Sequence, residues 1–344
     1  MLIGETKRFV DAFGLTGRKV LVAVSGGLDS SALAHALLEI AGEKCLKVSI
    51  GHVNHGLRGE ESEADQAAVF ELADQLGVPA LCRQIEPEQL RVGCSSRARP
   101  TLQEAARKLR YRALREMIVE AGCEHLATAH NANDQTETVL LRVFRGSGPD
   151  GLGGIPERSA DGVVVRPLLR VSRPAIEAYA AERKISWRED RSNRSVAYAR
   201  NRLRLRWLPG LTGDFNDQLL MAVGNLAEAQ RRDSEWIGAL VEREAATRFT
   251  PEGCWLRTRA EGWDELPEAL ARRLARWGLR RCGGERDATR VHLERMLGFL
   301  RTAHSGARLE LPGGARLERD REGFLLGPIE PRASVEPSGP GGCR

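Results

Sequence analysis

The sequence predicts an α/β protein: a parallel twisted sheet with helices on both faces, then a helical linker region and a small C-terminal α/β domain. Three observations carry this expectation. Short apolar runs alternate with helix-period stretches through the first half of the chain. The first apolar run stops at a glycine turn, "VAVSGGLDSS", and a helical pattern starts from it. Beyond residue 250 the alternation ends, and a helical core is followed by a β pattern, "ARLELPGGARLERDREGFLL".

The elements follow in order. Strand-length apolar runs occupy 20–24, 46–53, 78–85 and 125–129, with a further β-like run, "GVVVRPLL", at 162–169. Helix-period stretches occupy 30–41, 62–76, 101–121 and 134–144. The segment 146–156, "GSGPDGLGGIP", is too rich in glycine for a regular element and reads as a mobile loop. From 173 to 208 the chain is helical and basic, "LPGLTGDFN" at 208–216 reads as a hinge, and a long helix covers roughly 217–247. The domains expected are 1–212, a helical linker 213–249, and a small domain 250–330. The Pro-, Gly- and Ser-rich tail 331–344 reads as disordered.

Composition narrows the class. The chain has 344 residues, 42% hydrophobic and 29% charged, with a formal net charge of +5. That is a globular composition with room for about two domains. No apolar run approaches the ~20 residues of a membrane span. The start, "MLIGETKRFVDAFGL", lacks a secretory pattern, so a cytoplasmic location and no membrane partner are expected. The seven cysteines (Cys45, Cys82, Cys94, Cys123, Cys254, Cys282, Cys343) include no C-x-x-C pair, which argues against a disulfide framework or a zinc or iron–sulfur site. Nearly all the cations are arginine, whose guanidinium matches phosphate oxygens; base composition of the genome is the other source of such a bias.

The glycine turn is the first chemical signal. Strand, glycines and helix together place backbone N–H groups at a helix N-terminus, which makes an anion site. Neither G-x-x-x-x-G-K-[ST] nor G-x-G-x-x-G is present. What stands there is Ser25-Gly26-Gly27-Leu28-Asp29-Ser30. These six residues resemble the S-G-G-x-D-S loop of the ATP pyrophosphatases, also called the PP-loop superfamily, whose fold is adenine nucleotide alpha-hydrolase-like. The resemblance implies that the loop grips the pyrophosphate part of ATP and that AMP is released. The residue types suit this: Gly26 and Gly27 let backbone approach oxygen, and Ser25 and Ser30 add hydroxyl donors. Asp29 cannot face bare phosphate, so it is expected to hold Mg²⁺.

Further stretches narrow the family. "GHVNHGLRGEESEAD" (51–65), "TLQEAARKLRYRAL" (101–114), "ATAHNANDQTETVLLRVFRGSG" (127–148) and "DRSNRSVAYARNRLR" (190–204) resemble the tRNA(Ile)-lysidine synthetases, as does the C-terminal β pattern. The resemblance implies ligation of free L-lysine to the wobble cytidine of the CAU anticodon of an isoleucine tRNA, driven by ATP, and it allows a homodimer. A tRNA thiolase of the same superfamily is the enzymatic alternative, although those enzymes usually carry C-x-x-C cysteines. A protein that only binds RNA is the other alternative, and the intact loop argues against it.

Candidate residues follow from pattern and resemblance together. Asp134 and Glu137 stand three apart and would share a helix face, where two acceptors suit an amine; carboxylates there also serve a helix dipole. The family often has two adjacent aspartates where this chain has Asn133-Asp134. Arg107 and Arg110 belong to one basic helix and, by the resemblance, stand near ATP or the adenylated base. Arg200, Arg202, Arg204 and Arg206 beside Trp207 are dense enough to expect contact with tRNA phosphates. His52, His55 and His130 end strands at the same edge, where packing or hydrogen bonding is expected sooner than a metal.

Overall fold

The computed structural model describes residues 1–56, 59–92, 99–188, 198–284 and 288–329. The expected tail at 331–344, Cys94, Cys343 and residues 189–197 of the basic stretch lie outside them. The contacts divide the chain into two compact units, residues 1–231 and residues from 232 onward.

The first unit contains α1 (Leu2–Ala12), β1 (Lys19–Ala23), α2 (Leu28–Glu39), α3 (Ala41–Lys44), β2 (Lys47–Asn54), α4 (Glu60–Leu76), β3 (Ala80–Gln84), α5 (Leu102–Glu120), β4 (His125–Ala127), α6 (Ala132–Phe144), α7 (Pro149–Leu152), β5 (Val164–Val165) and α8 (Arg173–Glu182). After α9 (Ala199–Arg202) a π-helical turn, Leu203–Trp207, leads into α10 (Leu208–Asp214), and α11 (Leu219–Arg248) crosses from this unit into the next.

The sheet has the order β3-β2-β1-β4-β5, and every pairing is parallel. Alternate residues of β1 explain the two layers. Val20, Val22 and Val24 pack with α1, α2, α4 and α8, whereas Leu21 packs with Val53, Leu126 and α5 on the other face. Burial on both faces is why these strands read as unbroken apolar runs. The chain leaves β1 for β2 and β3 on one side and returns to β4 on the other. The crevice at that reversal, beyond the strand C-termini, is where open α/β sheets bind ligands.

Helix boundaries follow local chemistry. Thr101 and Glu104 close a capping box on α5, with Glu104 N–H donating to Thr101 Oγ1 at 3.2 Å and Thr101 N–H to the Glu104 carboxylate at 2.8 Å. Asn131 and Asp134 do the same for α6.

Three expectations are corrected. The run at 162–169 yields only a two-residue strand, because Pro167 cannot donate to a ladder. The segment 208–216 is not a hinge but mostly helix α10. Pro209 sits in its first turn, where a missing N–H does no harm. The segment 146–156 is not free of regular structure: it holds the short helix α7, Arg142 donates to the Gly151 and Gly154 carbonyls at 2.8 and 2.9 Å, and Ile155 N–H donates to Gln135 Oε1 at 2.6 Å. Gly154 has φ +60°, and a Cβ there would lie 2.5 Å from Gln135 Oε1, so only glycine allows this closure.

Among its described residues the second unit holds a five-stranded antiparallel sheet, two helices and the C-terminal part of α11. Its elements are β6 (Phe249–Glu252), β7 (Trp255–Thr258), α12 (Glu268–Arg281), α13 (Arg290–Thr302), β8 (Arg308–Leu311), β9 (Ala315–Arg319) and β10 (Phe324–Pro328), in sheet order β6-β7-β10-β9-β8. Its core joins Leu274, Leu279, Leu297, Leu317 and Leu326 with Trp263, which is 1% exposed and donates its indole N–H to the Arg259 carbonyl at 3.0 Å. Trp263→Ala should therefore cost about 3–5 kcal/mol of stability in this unit. Urea unfolding followed by circular dichroism checks this, and a loss below ~1 kcal/mol would contradict the packing.

Candidate active site

The turn after β1 is built from its own side chains. Val24 N–H donates to the Gly51 carbonyl at 2.9 Å, which carries the parallel pairing one residue past the strand. The chain then turns at Gly26, whose φ of +84° lies in the left-handed region that glycine tolerates. Ser30 Oγ accepts from Ser25 N–H at 3.1 Å, donates to the Gly27 carbonyl at 2.9 Å, and lies 3.2 Å from Ser25 Oγ. Gly27 starts α2 without a side-chain cap, which leaves the first-turn amides to solvent or an anion.

Asp29 lies in that first turn. Its Oδ2 accepts from Arg173 Nη1 at 2.8 Å, while Oδ1 is buried with no hydrogen-bond partner among the described residues. Burial pushes this carboxyl above its ordinary range. Arg173 opposes the shift, Asp134 reinforces it, and the Asn131 side chain opposes it. A buried carboxylate oxygen left unpaired suits a hard cation.

A cavity of about 870 Å³ opens over this turn. Ser25, Gly26, Gly27, Leu28, Asp29 and Ser30 line it together with His52, His55, His130, Arg107, Arg110, Asp134, Arg173 and Arg200. The structure thus brings the turn, the basic helix α5 and the start of α6 to one place. Arg107 and Arg110 lie one turn apart on α5 and flank the Tyr111 ring, at 5.1 and 5.6 Å from its centroid. Burial draws the Arg110 guanidinium below its ordinary value, Tyr111 opposes the shift, and Arg107 adds to it.

The two carboxylates of α6 differ. Asp134 lines the cavity, and its Oδ2 accepts from Asn131 N–H at 3.1 Å. Glu137 is fully buried and is not among the lining residues. Its Oε2 accepts from Arg200 Nε at 2.6 Å and its Oε1 from Arg204 Nε at 2.5 Å. Both guanidiniums also reach Asp134 Oδ1, at 3.1 and 3.3 Å. Five arginine hydrogen bonds and one from the Asn131 amide thus already engage the two carboxylates that were expected to accept an amine. The four arginines of this stretch also stand in different surroundings. Arg200 and Arg204 turn inward to α6, whereas Arg202 and Arg206 are exposed beside the exposed Trp207.

The histidines serve as hydrogen-bonding groups. His52 Nδ1 donates to the Val24 carbonyl at 2.8 Å, which holds the end of β1. His130 Nδ1 lies 3.0 Å from Thr128 Oγ1. Burial lowers His130 to about 4, with Asp134 opposing and Arg166, Arg107 and Arg110 adding to the shift. Among the described residues no group of three or more His, Cys, Asp and Glu is arranged to hold a metal ion.

Arg173 escaped the sequence reading, although a signal was present. Ser172 and Pro174 mark a helix start, and a cation in the first turn opposes the helix dipole. Such a local conflict points to a partner elsewhere, here Asp29. Asn131, Tyr111 and the Asp65–Arg188 pair, at 2.8 Å, were also missed.

A parallel sheet whose first strand runs into an S-G-G-L-D-S turn, with an acid in the helix's first turn, defines a nucleotide-binding α/β protein of the PP-loop class. The family pattern for the PP-loop domain matches residues 3–211, and that for the TilS substrate binding domain matches residues 259–321. The chain is 38% identical over 300 residues to the tRNA(Ile)-lysidine synthase of Solibacter usitatus, covering 87% of this chain and 65% of that protein. It is 35% identical over 333 residues to that of Symbiobacterium thermophilum, covering 92% and 67%. The chain belongs to the tRNA(Ile)-lysidine synthase family of PP-loop proteins. It spans about two thirds of the length of these two relatives, and 54% of that of Clostridium perfringens. Among solved structures, the U34-tRNA thiolase NcsA from Methanococcus maripaludis shares the fold, with a TM-score of 0.54 and 18% identity over 67% of this chain and 80% of that one. Among the described residues no helix is long and apolar enough to cross a membrane.

The site makes a pH prediction. The His130 value in the folded state, about 4, lies below the ordinary 6.5. His35, His52 and His125 are also lowered, each first by burial. Between those values the unfolded chain binds more protons, so stability falls as pH drops from 6.5 toward 4. His130→Asn should make that fall shallower, read as the thermal midpoint against pH. An unchanged profile would contradict the burial of a neutral imidazole.

Proposed function

We propose that the protein ligates free L-lysine to carbon 2 of the wobble cytidine in the CAU anticodon of an isoleucine tRNA, converting ATP to AMP and pyrophosphate. The observation that carries this reading is the shared cavity: the anion-binding turn with Asp29 and the α6 carboxylate Asp134 face the same space. The names of the relatives supply the substrate class. In this reading residues 1–212 are the catalytic domain, 213–249 a helical linker and 250–330 a tRNA-binding domain. The reaction is cytoplasmic.

Two steps balance the chemistry. The cytosine O2 attacks the α-phosphorus of ATP and pyrophosphate leaves. The neutral lysine side-chain amine then attacks carbon 2, AMP departs with O2, and the amine proton passes to a base. The turn at Ser25–Ser30 holds the leaving pyrophosphate by backbone and hydroxyl donors. Asp29, through its unpaired Oδ1, is the residue fitted to hold Mg²⁺, which when bound neutralises phosphate charge. Arg107 and Arg110 stabilise charge developing at the α-phosphate. Asp134, which lines the cavity, meets the amine and is the better placed proton acceptor. Buried Glu137 instead anchors Arg200 and Arg204, so an incoming ammonium has to share Asp134 with two guanidiniums.

The test is pyrophosphate and AMP release with tRNA and free lysine. Asp29→Ala should lower pyrophosphate release by about 10²–10³-fold with little change in thermal midpoint. Asp134→Asn should raise the lysine KM about tenfold, equivalent to ~1.4 kcal/mol, and change the ATP KM less. Release that ignores lysine would favour a thiolase, and no release would favour a protein that only binds RNA.

Contact of Arg202 and Arg206 with tRNA phosphate has a separate readout. Replacing both with alanine should weaken binding across tRNA sequences and flatten the salt dependence by about 0.7–0.9 per lost contact. Filter binding at several salt concentrations measures this, and an identical slope would return the pair to a solvated helix face. A homodimer, which rests on the resemblance alone, is checked by sedimentation.

A further inference from the structure

Two arginine–carboxylate ties, ten residues apart along each segment, join α2 to α8 and to Arg183 at its C-terminal end. At one end Arg173 Nη1 donates to Asp29 Oδ2 at 2.8 Å. At the other, Arg183 donates to both oxygens of Glu39 at 2.8 and 3.0 Å, and Tyr179 Oη donates to Glu39 Oε2 at 3.0 Å. Between them Ile176 and Ala180 of α8 and Leu33 and Leu37 of α2 are buried in one core. The equal spacing lays the helices side by side in the same direction. The Glu39 tie lies away from the cavity, whereas Asp29 and Arg173 both line it.

Arg173 is held independently of Asp29. Its backbone N–H donates to Asn133 Oδ1 at 3.0 Å, and its Nε donates to Glu177 Oε1 at 2.9 Å one turn along α8. The Asn133 amide oxygen thus serves as an anchor for the first amide of α8. Backbone and side chain are thus fixed before the guanidinium reaches Asp29. A fixed donor on Oδ2 decides which way the carboxylate turns, and Oδ1 is the oxygen left buried and unpaired.

We propose that Arg173 is a positioning residue for Asp29: anchored by Asn133 and Glu177, it engages Oδ2 so that Oδ1 alone is presented to a divalent cation on the nucleotide phosphates. The proposal rests on the reading of Asp29 as the cation's carboxylate. Removing a partner that orients a ligating group typically costs about 10–100-fold in metal affinity.

The full-length protein is titrated with Mn²⁺ in the presence of an ATP analogue with a methylene bridge between the α- and β-phosphates, and free Mn²⁺ is read by electron paramagnetic resonance. Arg173→Ala should weaken Mn²⁺ binding about tenfold, while Arg183→Ala, which cuts the other tie, should leave it unchanged and lower only the thermal midpoint. Unchanged or tighter Mn²⁺ binding in Arg173→Ala overturns the proposal, because the guanidinium would then only repel the cation. Equal weakening in Arg183→Ala also overturns it, since the tie would be a plain strut. Asp29→Ala separates the two levels. If it binds Mn²⁺ like the parent, the reading of Asp29 fails and the proposal with it. If it binds weakly and Arg173→Ala does not, only the role of Arg173 fails.

Discussion

Buried carboxylates around a phosphate-binding turn must be balanced by cations, and the rest of the first unit is arranged to supply them. Asp29 and Asp134 stand in the first turns of α2 and α6, where helix dipoles favour negative charge. They also face one cavity, where the Asp134 charge adds to the cost of ionising Asp29. Glu137, fully buried one turn further on, adds a third negative charge. Desolvated charge without a partner is far costlier than a surface pair, so these acids cannot stand alone. Their partners, Arg173, Arg200 and Arg204, come from α8, α9 and the π-helical turn. The charges that line the cavity are balanced through these segments.

The start of α6 is the junction through which this happens. In the stretch from Asn131 to Glu137 the side chains have different partners. Asn131 caps its own helix, Asn133 holds the first amide of α8, and Gln135 pins the backbone at Ile155. Asp134 and Glu137 take the guanidiniums of Arg200 and Arg204. One turn of polar helix thereby ties three distant segments to the sheet edge. Hydrogen bonds to ionised groups are stronger and shorter than neutral ones, which suits such a junction to hold geometry as well as charge. Helix α6 is also packed from its far side, where Val139 meets Val223 and Ala227 of α11 in a small apolar cluster.

Much of the architecture was legible from periodicity. The parallel sheet, the helices on its faces and the separate C-terminal unit all appear where apolar spacing changes. Boundaries shifted by a residue or two, and larger misses had local causes. Pro167 cut the last strand short, and proline in a first turn let "LPGLTGDFN" be helical where glycines suggested a hinge. Gln135 and Arg142 tied down a glycine-rich segment whose composition alone implied freedom.

The sequence by itself determined the turn: six consecutive residues specify a backbone shape, and short-range sterics and hydrogen bonds act within that span. It likewise determined that acids follow at Asp134 and Glu137 on one helix face. Only the tertiary structure decided which groups those acids meet. Arg173 is 144 residues from Asp29 in the chain, and Arg204 is 67 from Glu137. An arginine's sign and density are visible in a sequence, but its partner is set by helix packing and by burial. The same basic helix therefore turns Arg200 and Arg204 inward and leaves Arg202 and Arg206 at the surface. Pairing across such distances depends on where desolvation makes an unpartnered charge intolerable, and burial exists only once the chain has folded.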